Sequence, residues 1–120
     1  MFCVEQGVDE KADRDGRDHE AEQLVAERGG QVVGTCRLLI EGDLARLGRM
    51  AVSRDVRGQG VGGLLLDQAD RVAGEHGATR IQLHAQVAAR GVYDRAGYRQ
   101  ISGVFVEEGI EHLTMEKRLA

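Results

Sequence analysis

The fold predicted by this sequence is α/β, a mixed sheet with helices packed on it in one domain over residues 1–120, and three observations predict it. β-capable runs crowd the first half of the chain. A glycine-rich junction then passes from a strand into a helix. After that helix, strand and helix patterns alternate and the chain closes on two strands. At 120 residues there is room for a single core and not for two.

Element by element, Val8 to Glu20 is dense in charge and poor in apolar residues, and reads as a solvated loop or the polar edge of a helix. Ala21 to Glu27 and Gln31 to Ile40 are β-capable runs joined by Gly29-Gly30, a hairpin signal. In the second run the alternation sets Val32, Cys36, Leu38 and Ile40 on one face and Val33 and Leu39 on the other, so both sides are expected to be covered. Glu41-Gly42-Asp43 turns into a strand over Leu44 to Ser53.

The next helix has an apolar stripe of Val61, Leu64, Leu65, Ala69, Val72 and Ala73, and stops near His76-Gly77. Thr79 to Gln86 alternates, with Ile81, Leu83 and Ala85 on one side and Gln82, His84 and Gln86 on the other. Ala88 to Ala96 is a short helix stopped by Gly97. Tyr98 to Val106 and His112 to Leu119 read as closing strands around Glu107-Glu108-Gly109.

Composition bounds the function. A net charge of −4 without a basic stripe argues against nucleic acid as a partner. No apolar run is long enough for a membrane span, and Met1 to Glu20 has no signal-peptide core. The two cysteines, Cys3 and Cys36, lack Cys-x-x-Cys spacing, which points to a reducing compartment, with the cytoplasm as the expectation. His19, His76, His84 and His112 show no ligand spacing, so no metal is expected.

The chemistry centres on Arg57 to Gly63, Arg-Gly-Gln-Gly-Val-Gly-Gly. Its glycines leave backbone amides bare, and the following helix points unpaired N–H groups and the positive end of its dipole at the same spot. Such a turn suits a phosphate or pyrophosphate. A Walker-type loop needs lysine and then Ser or Thr after the last glycine, but Leu64 follows Gly63. Gly58-x-Gly60-x-x-Gly63 matches a dinucleotide fingerprint. Glu75, however, lies near a helix end and not at the tip of a second strand, and the length leaves no substrate domain.

The remaining design, Arg-x-x-Gly-x-Gly over Arg57, Gly60 and Gly62, resembles the pyrophosphate segment of the GNAT superfamily of acyl-CoA-dependent N-acetyltransferases. Arg49-Met50-Ala51-Val52-Ser53 resembles that superfamily's cofactor strand, and Val92-Tyr93-Asp94-Arg95-Ala96-Gly97-Tyr98 is similar to its late aromatic segment. Leu83-His84-Ala85-Gln86, Gly109-Ile110-x-His112 and Val4-Glu5-Gln6-Gly7 are similar to the ElaA-like subgroup. Relative to this pattern the chain is N-terminally shortened, lacking the usual first strand, which would expose a sheet edge. Val56 stands where an aromatic is common, and the strand before the last helix lacks the asparagine of many members.

The resemblance implies an acetyl-CoA co-substrate, a primary amine acceptor and direct transfer without a cysteine intermediate. The alternative is a degenerate CoA-binding or interaction module of the same fold. Cofactor contacts are implied for Met50, Ala51, Val52, Arg57, Gly58, Gln59, Gly60, Val61, Gly62 and Gly63. A backbone N–H of the Met50–Val52 strand would hold the oxyanion, and Arg57 is either a charge partner of the pyrophosphate or a solvated loop residue. Tyr93 would protonate the departing thiolate; otherwise it is an aromatic packed with Ala89 and Ala96.

An amine with a pKa of about 10.4 is roughly 99.9% protonated at pH 7 and must first lose a proton. His84 is a base or water relay, or else a hydrogen-bonded strand residue; His112 has the same two roles, the second being to lock the last hairpin. Glu107, Glu108 and Glu111 favour a cationic acceptor or form a solvated turn. An open edge would suit a homodimer.

Overall fold

In the computed structural model, residues 3–8 and 20–119 are described, with the side chains of 3–8 and 20 left aside. Eight strands form one sheet: β1 Cys3–Val8, β2 Glu20–Arg28, β3 Gln31–Glu41, β4 Leu44–Val52, β5 Arg80–Gln86, β6 Arg99–Gln100, β7 Phe105–Glu107 and β8 Ile110–Arg118. Their spatial order is β1-β2-β3-β4-β5-β8-β6, with β7 also on β8. Helices α1 (Val61–Glu75) and α2 (Arg90–Arg95) connect the second half. Most of the charge-dense segment, residues 9–19, lies outside the described residues. Cys3–Val8 pairs with Glu22–Glu27 of β2 and is the edge strand on that side among the described residues.

The β2–β3 hairpin forms as its glycines require. Gly29 and Gly30 have φ of 58° and 83°, and this pair of left-handed residues makes the two-residue turn whose twist matches the strands. Strand β3 departs from simple alternation. Glu27 pairs with Val32 while Ala26 pairs with Gly34, so Val33 is the extra residue of a bulge. The bulge changes the phase: Val32, expected on the core face, is 57% exposed, and Val33 is buried in its place. The other side of β3 is half-covered, with Thr35, Arg37 and Leu39 all partly exposed.

Helix α1 buries Val61, Leu65, Leu66, Ala69, Val72 and Ala73, whereas Leu64, assigned to the stripe by spacing, is exposed. At about 100° per residue the buried set spans roughly 140° and includes Leu66, and Leu64 falls about 60° beyond its edge. The expected strand Tyr98–Val106 is two short strands with an irregular link. The Ser102 hydroxyl accepts the Thr114 N–H at 2.8 Å, a side chain standing in for the ladder.

Ile81, Leu83, Ala85, Leu113 and Met115 belong to the same buried core as the apolar face of α1, and Tyr93 of α2 and Ala96 just after it pack against that core. On the other face the register sets Gln82, His84 and Gln86 beside Glu116, Thr114 and His112. The parallel pair β4–β5 sits at the centre and zips only from Leu44–Arg80 to Leu47–Leu83. Both strands continue further, β4 to Val52 and β5 to Gln86, and there they part.

Candidate active site

A cleft of about 1310 Å³ occupies the gap where β4 and β5 separate. The glycine turn and Tyr93 line it, as do His84, Glu107 and His112. Since Tyr93 packs on the helix-side core and His84 stands on the other side of β5, the cleft passes through the sheet.

The turn fits an anion. Gly58 and Gly60 have φ of 83° and 84°, and a Cβ at Gly58, Gly60, Gly62 or Gly63 would meet nothing within 4 Å. The Leu64 N–H donates to the Gly60 carbonyl at 3.0 Å, so the amides of Val61, Gly62 and Gly63 precede any intrahelical acceptor. The first turn of α1 has no acidic residue. These bare, outward-facing donors at a helix start could hold a pyrophosphate.

Of the ten residues implied as cofactor contacts, Met50, Val52, Arg57, Gly58, Gly60, Val61, Gly62 and Gly63 line the cleft, and Ala51 and Gln59 do not. Ala51 pairs with Thr35 of β3. The Gln59 side chain turns back to donate to the Asp55 carbonyl at 3.4 Å. Arg57 Nε donates to the Val52 carbonyl at 3.3 Å, which ties the turn to the end of β4. Val56, where the family pattern favours an aromatic, is fully buried and fills the core.

Strand β4 bulges within the run Arg49 to Val52, where the sequence places cofactor contacts. Thr35 pairs with Ala51 and Arg37 with Gly48, so Cys36 opposes both Arg49 and Met50. Arg49 sits at φ 53°, a left-handed conformation costly for a side-chain-bearing residue. The bulge lies where β4 leaves β5, so it re-aims the backbone at the cleft mouth.

Tyr93 is partly buried and meets Tyr98 edge-on, with centroids 6.0 Å apart and planes at 77°. Burial chiefly, with nearby Cys36 adding to it, holds its phenol above the ordinary value of 10. It therefore carries its proton at neutral pH. Burial also pushes the Cys36 thiol up to about 12, so that sulfur is no nucleophile.

Across the cleft, His84 Nδ1 stands 3.4 Å from Glu107 Oε1, and His112 Nε2 stands 3.8 Å from Glu107 Oε2. Glu108 also lines the cleft, whereas Glu111 does not. Sequence reasoning grouped the three glutamates by charge and missed that Glu107 alone sits between two histidines. The signal was the two-residue turn at Glu108-Gly109, which pairs Glu107 with Ile110 and Phe105 with His112. Arg46, Arg49 and Arg95, which also line the cleft, were missed too. Among the described residues no three His, Cys, Asp or Glu side chains gather as metal ligands do, and no helix is long and apolar enough to cross a membrane.

A family model described as an acetyltransferase (GNAT) domain matches residues 2–119, and the chain belongs to this family of N-acetyltransferases. The uncharacterized N-acetyltransferase YjcF of Bacillus subtilis is 33% identical over 118 residues, covering 98% of this chain and 84% of that protein. A crystal structure of an acyl-CoA N-acyltransferase from Pseudomonas aeruginosa superposes with a TM-score of 0.73 at 30% identity, over 82% of this chain and 68% of that one. Escherichia coli ElaA shares the fold, with a TM-score of 0.74 at 22% identity over 82% of this chain and 69% of its own.

Proposed function

We propose that this protein moves the acetyl group of acetyl-CoA directly onto a primary amine. The observation that carries the proposal is the parting of β4 and β5 beyond Leu47 and Leu83, with the glycine turn and Tyr93 on one side of the gap and His84 on the other. Acetyl-CoA supplies an activated thioester. Backbone amides of Gly58 to Gly63 hold its pyrophosphate, Arg57 adds positive charge, and Met50 to Val52 offer backbone donors to the developing oxyanion.

His84 takes a proton from the acceptor ammonium and so frees the lone pair that attacks. Tyr93 gives its proton to the sulfur as the C–S bond breaks and regains one from the nitrogen that has been acylated, through solvent. The buried Cys36 thiol supports direct transfer over an acyl-enzyme. The free thiol is also consistent with a cytoplasmic setting. Glu107 and Glu108 give the far end of the cleft carboxylates suited to a cationic acceptor.

The test is thermal unfolding with CoA, ATP and NAD, followed by thiol release from acetyl-CoA with a panel of amines. A midpoint raised by CoA alone, and thiol release that depends on amine, are expected. Stabilisation by CoA with no release under any amine would favour a binding module, and no response to CoA would remove the proposal.

A further inference from the structure

We propose that Glu107 is a positioning residue: its carboxylate holds His84 in the tautomer whose bare Nε2 receives the acceptor's proton. The inference rests on the acetyl-transfer reading above and adds a residue to it.

Two histidines share one carboxylate here, and their hydrogens can be assigned. His112 is buried, and its Nδ1 lies 2.7 Å from the Ile110 carbonyl. A carbonyl only accepts, so His112 carries a hydrogen on Nδ1 and spends it on Ile110, while its Nε2 stands 3.8 Å from Glu107 Oε2. At 3.8 Å His112 Nε2 is beyond hydrogen-bond reach of Glu107, and of the two rings it is His84, at 3.4 Å, that the carboxylate can hold. A carboxylate likewise only accepts, so the 3.4 Å contact between Glu107 Oε1 and His84 Nδ1 places the His84 hydrogen on Nδ1. The lone pair is then on Nε2, in a side chain 48% exposed on the cleft.

Phe105 fixes the rings. It meets His84 edge-on at 5.0 Å and 75°, and stacks on His112 at 6.1 Å and 20°. The 3.4 Å contact is long for a hydrogen bond, and such catalytic bonds shorten on the way to the transition state. When Nε2 takes the proton, Nδ1–H stays on Glu107 and the carboxylate faces the new imidazolium charge, as in other carboxylate–histidine pairs. The proton then leaves from Nε2 to solvent.

The experiment reads the tautomer by long-range ¹H–¹⁵N correlation spectra of ¹⁵N-histidine-labelled protein at neutral pH, alongside steady-state kinetics. In the wild type His84 is expected as the Nδ1–H form. Glu107→Ala should move it toward the Nε2–H form, while His112, held by the Ile110 carbonyl, keeps its pattern and reports that the hairpin is folded. Turnover should drop, by at most the roughly 10²–10⁴-fold that a general base contributes, with the KM for acetyl-CoA unchanged. Glu107→Gln keeps an accepting oxygen and should restore the Nδ1–H form with intermediate kcat. A His84 pattern identical in wild type and Glu107→Ala overturns the inference, as does a changed pattern with kcat intact. The spectra need no substrate, so a wild type that shows the Nδ1–H form yet acetylates no amine would overturn the acetyl-transfer reading, and His84's role with it.

Discussion

Gly34 of β3 lies directly under Val61, the first residue of α1: a Cβ at Gly34 would stand 2.9 Å from Val61 Cγ1 and 3.1 Å from Leu65 Cδ1. The missing side chain lets the helix start sit against the sheet. Val61 is β-branched and has little rotamer freedom to yield. Gly34→Ala should therefore push the start of α1 outward and destabilise the fold by about 1–3 kcal/mol. Since the same residue opens the helix whose amides face the cleft, affinity for acetyl-CoA should fall too. Urea unfolding and calorimetry of the variant check both; an unchanged unfolding midpoint would show that the helix accommodates the methyl group.

Tyr93→Phe keeps the ring and its edge contact with Tyr98 and removes only the hydroxyl proposed as the general acid. A general acid is worth about 10²–10⁴-fold, or about 3–5 kcal/mol of barrier. The expected result is a kcat reduced by that factor with little change in the acetyl-CoA dissociation constant. Equal turnover would leave Tyr93 as a packing residue.

Glu116 should make acid stability depend on pH. The Gln82 amide donates to Glu116 Oε2 at 2.7 Å, and Arg80 Nη1 lies 3.4 Å from the same oxygen. The Gln82 bond first, with Arg80 and Arg99 adding charge, holds this carboxyl below its ordinary value of 4.5 despite some desolvation. The folded state thus favours the ionised form. The resulting stability is complete above the unfolded value and is lost as pH falls through the lowered folded value. Unfolding free energies of wild type and Glu116→Gln should differ most above about pH 5, with the gap closing below about pH 4. A gap that stays constant with pH would mean that the charge is not what the network holds.

Tyr98→Phe tests a different buried group. The Tyr98 hydroxyl is buried and has no hydrogen-bond partner among the described residues. Its removal should leave stability unchanged or raise it by about 1 kcal/mol. A clear loss in thermal unfolding would reveal a partner for that oxygen.

The glycine turn, the hairpins and the alternation of Ile81, Leu83 and Ala85 were legible in the sequence because each depends on local rules: φ above zero, or period two. Val32 and Leu64 were misassigned for reasons that are not local. The bulge at Val33 is set by pairing with β2, and the stripe of α1 is centred by where Gly34 lets the helix touch the sheet. The parting of β4 and β5 left no mark in either strand, because it is a relation between them. Glu107 looks in the sequence like charge on a turn, and its place between His84 and His112 emerges only when the β7–β8 hairpin sets it near His112 and the pairing of β5 with β8 brings in His84.

The proposed hold of the turn at Gly58 to Gly63 on the pyrophosphate of acetyl-CoA is tested most directly by Gly62→Asp. Gly60 sits at φ 84°, so a substitution there confounds backbone strain with binding. Gly62 has ordinary helical backbone and open space where a Cβ would stand. A carboxylate in the first turn of α1 favours the helix dipole, so folding should hold or improve. The same carboxylate occupies the place and opposes the charge of a bound phosphate. Titration calorimetry of acetyl-CoA should show affinity lost by at least about tenfold, about 1.4 kcal/mol, in a variant whose unfolding midpoint is not lowered. Equal affinity in wild type and Gly62→Asp would contradict the account.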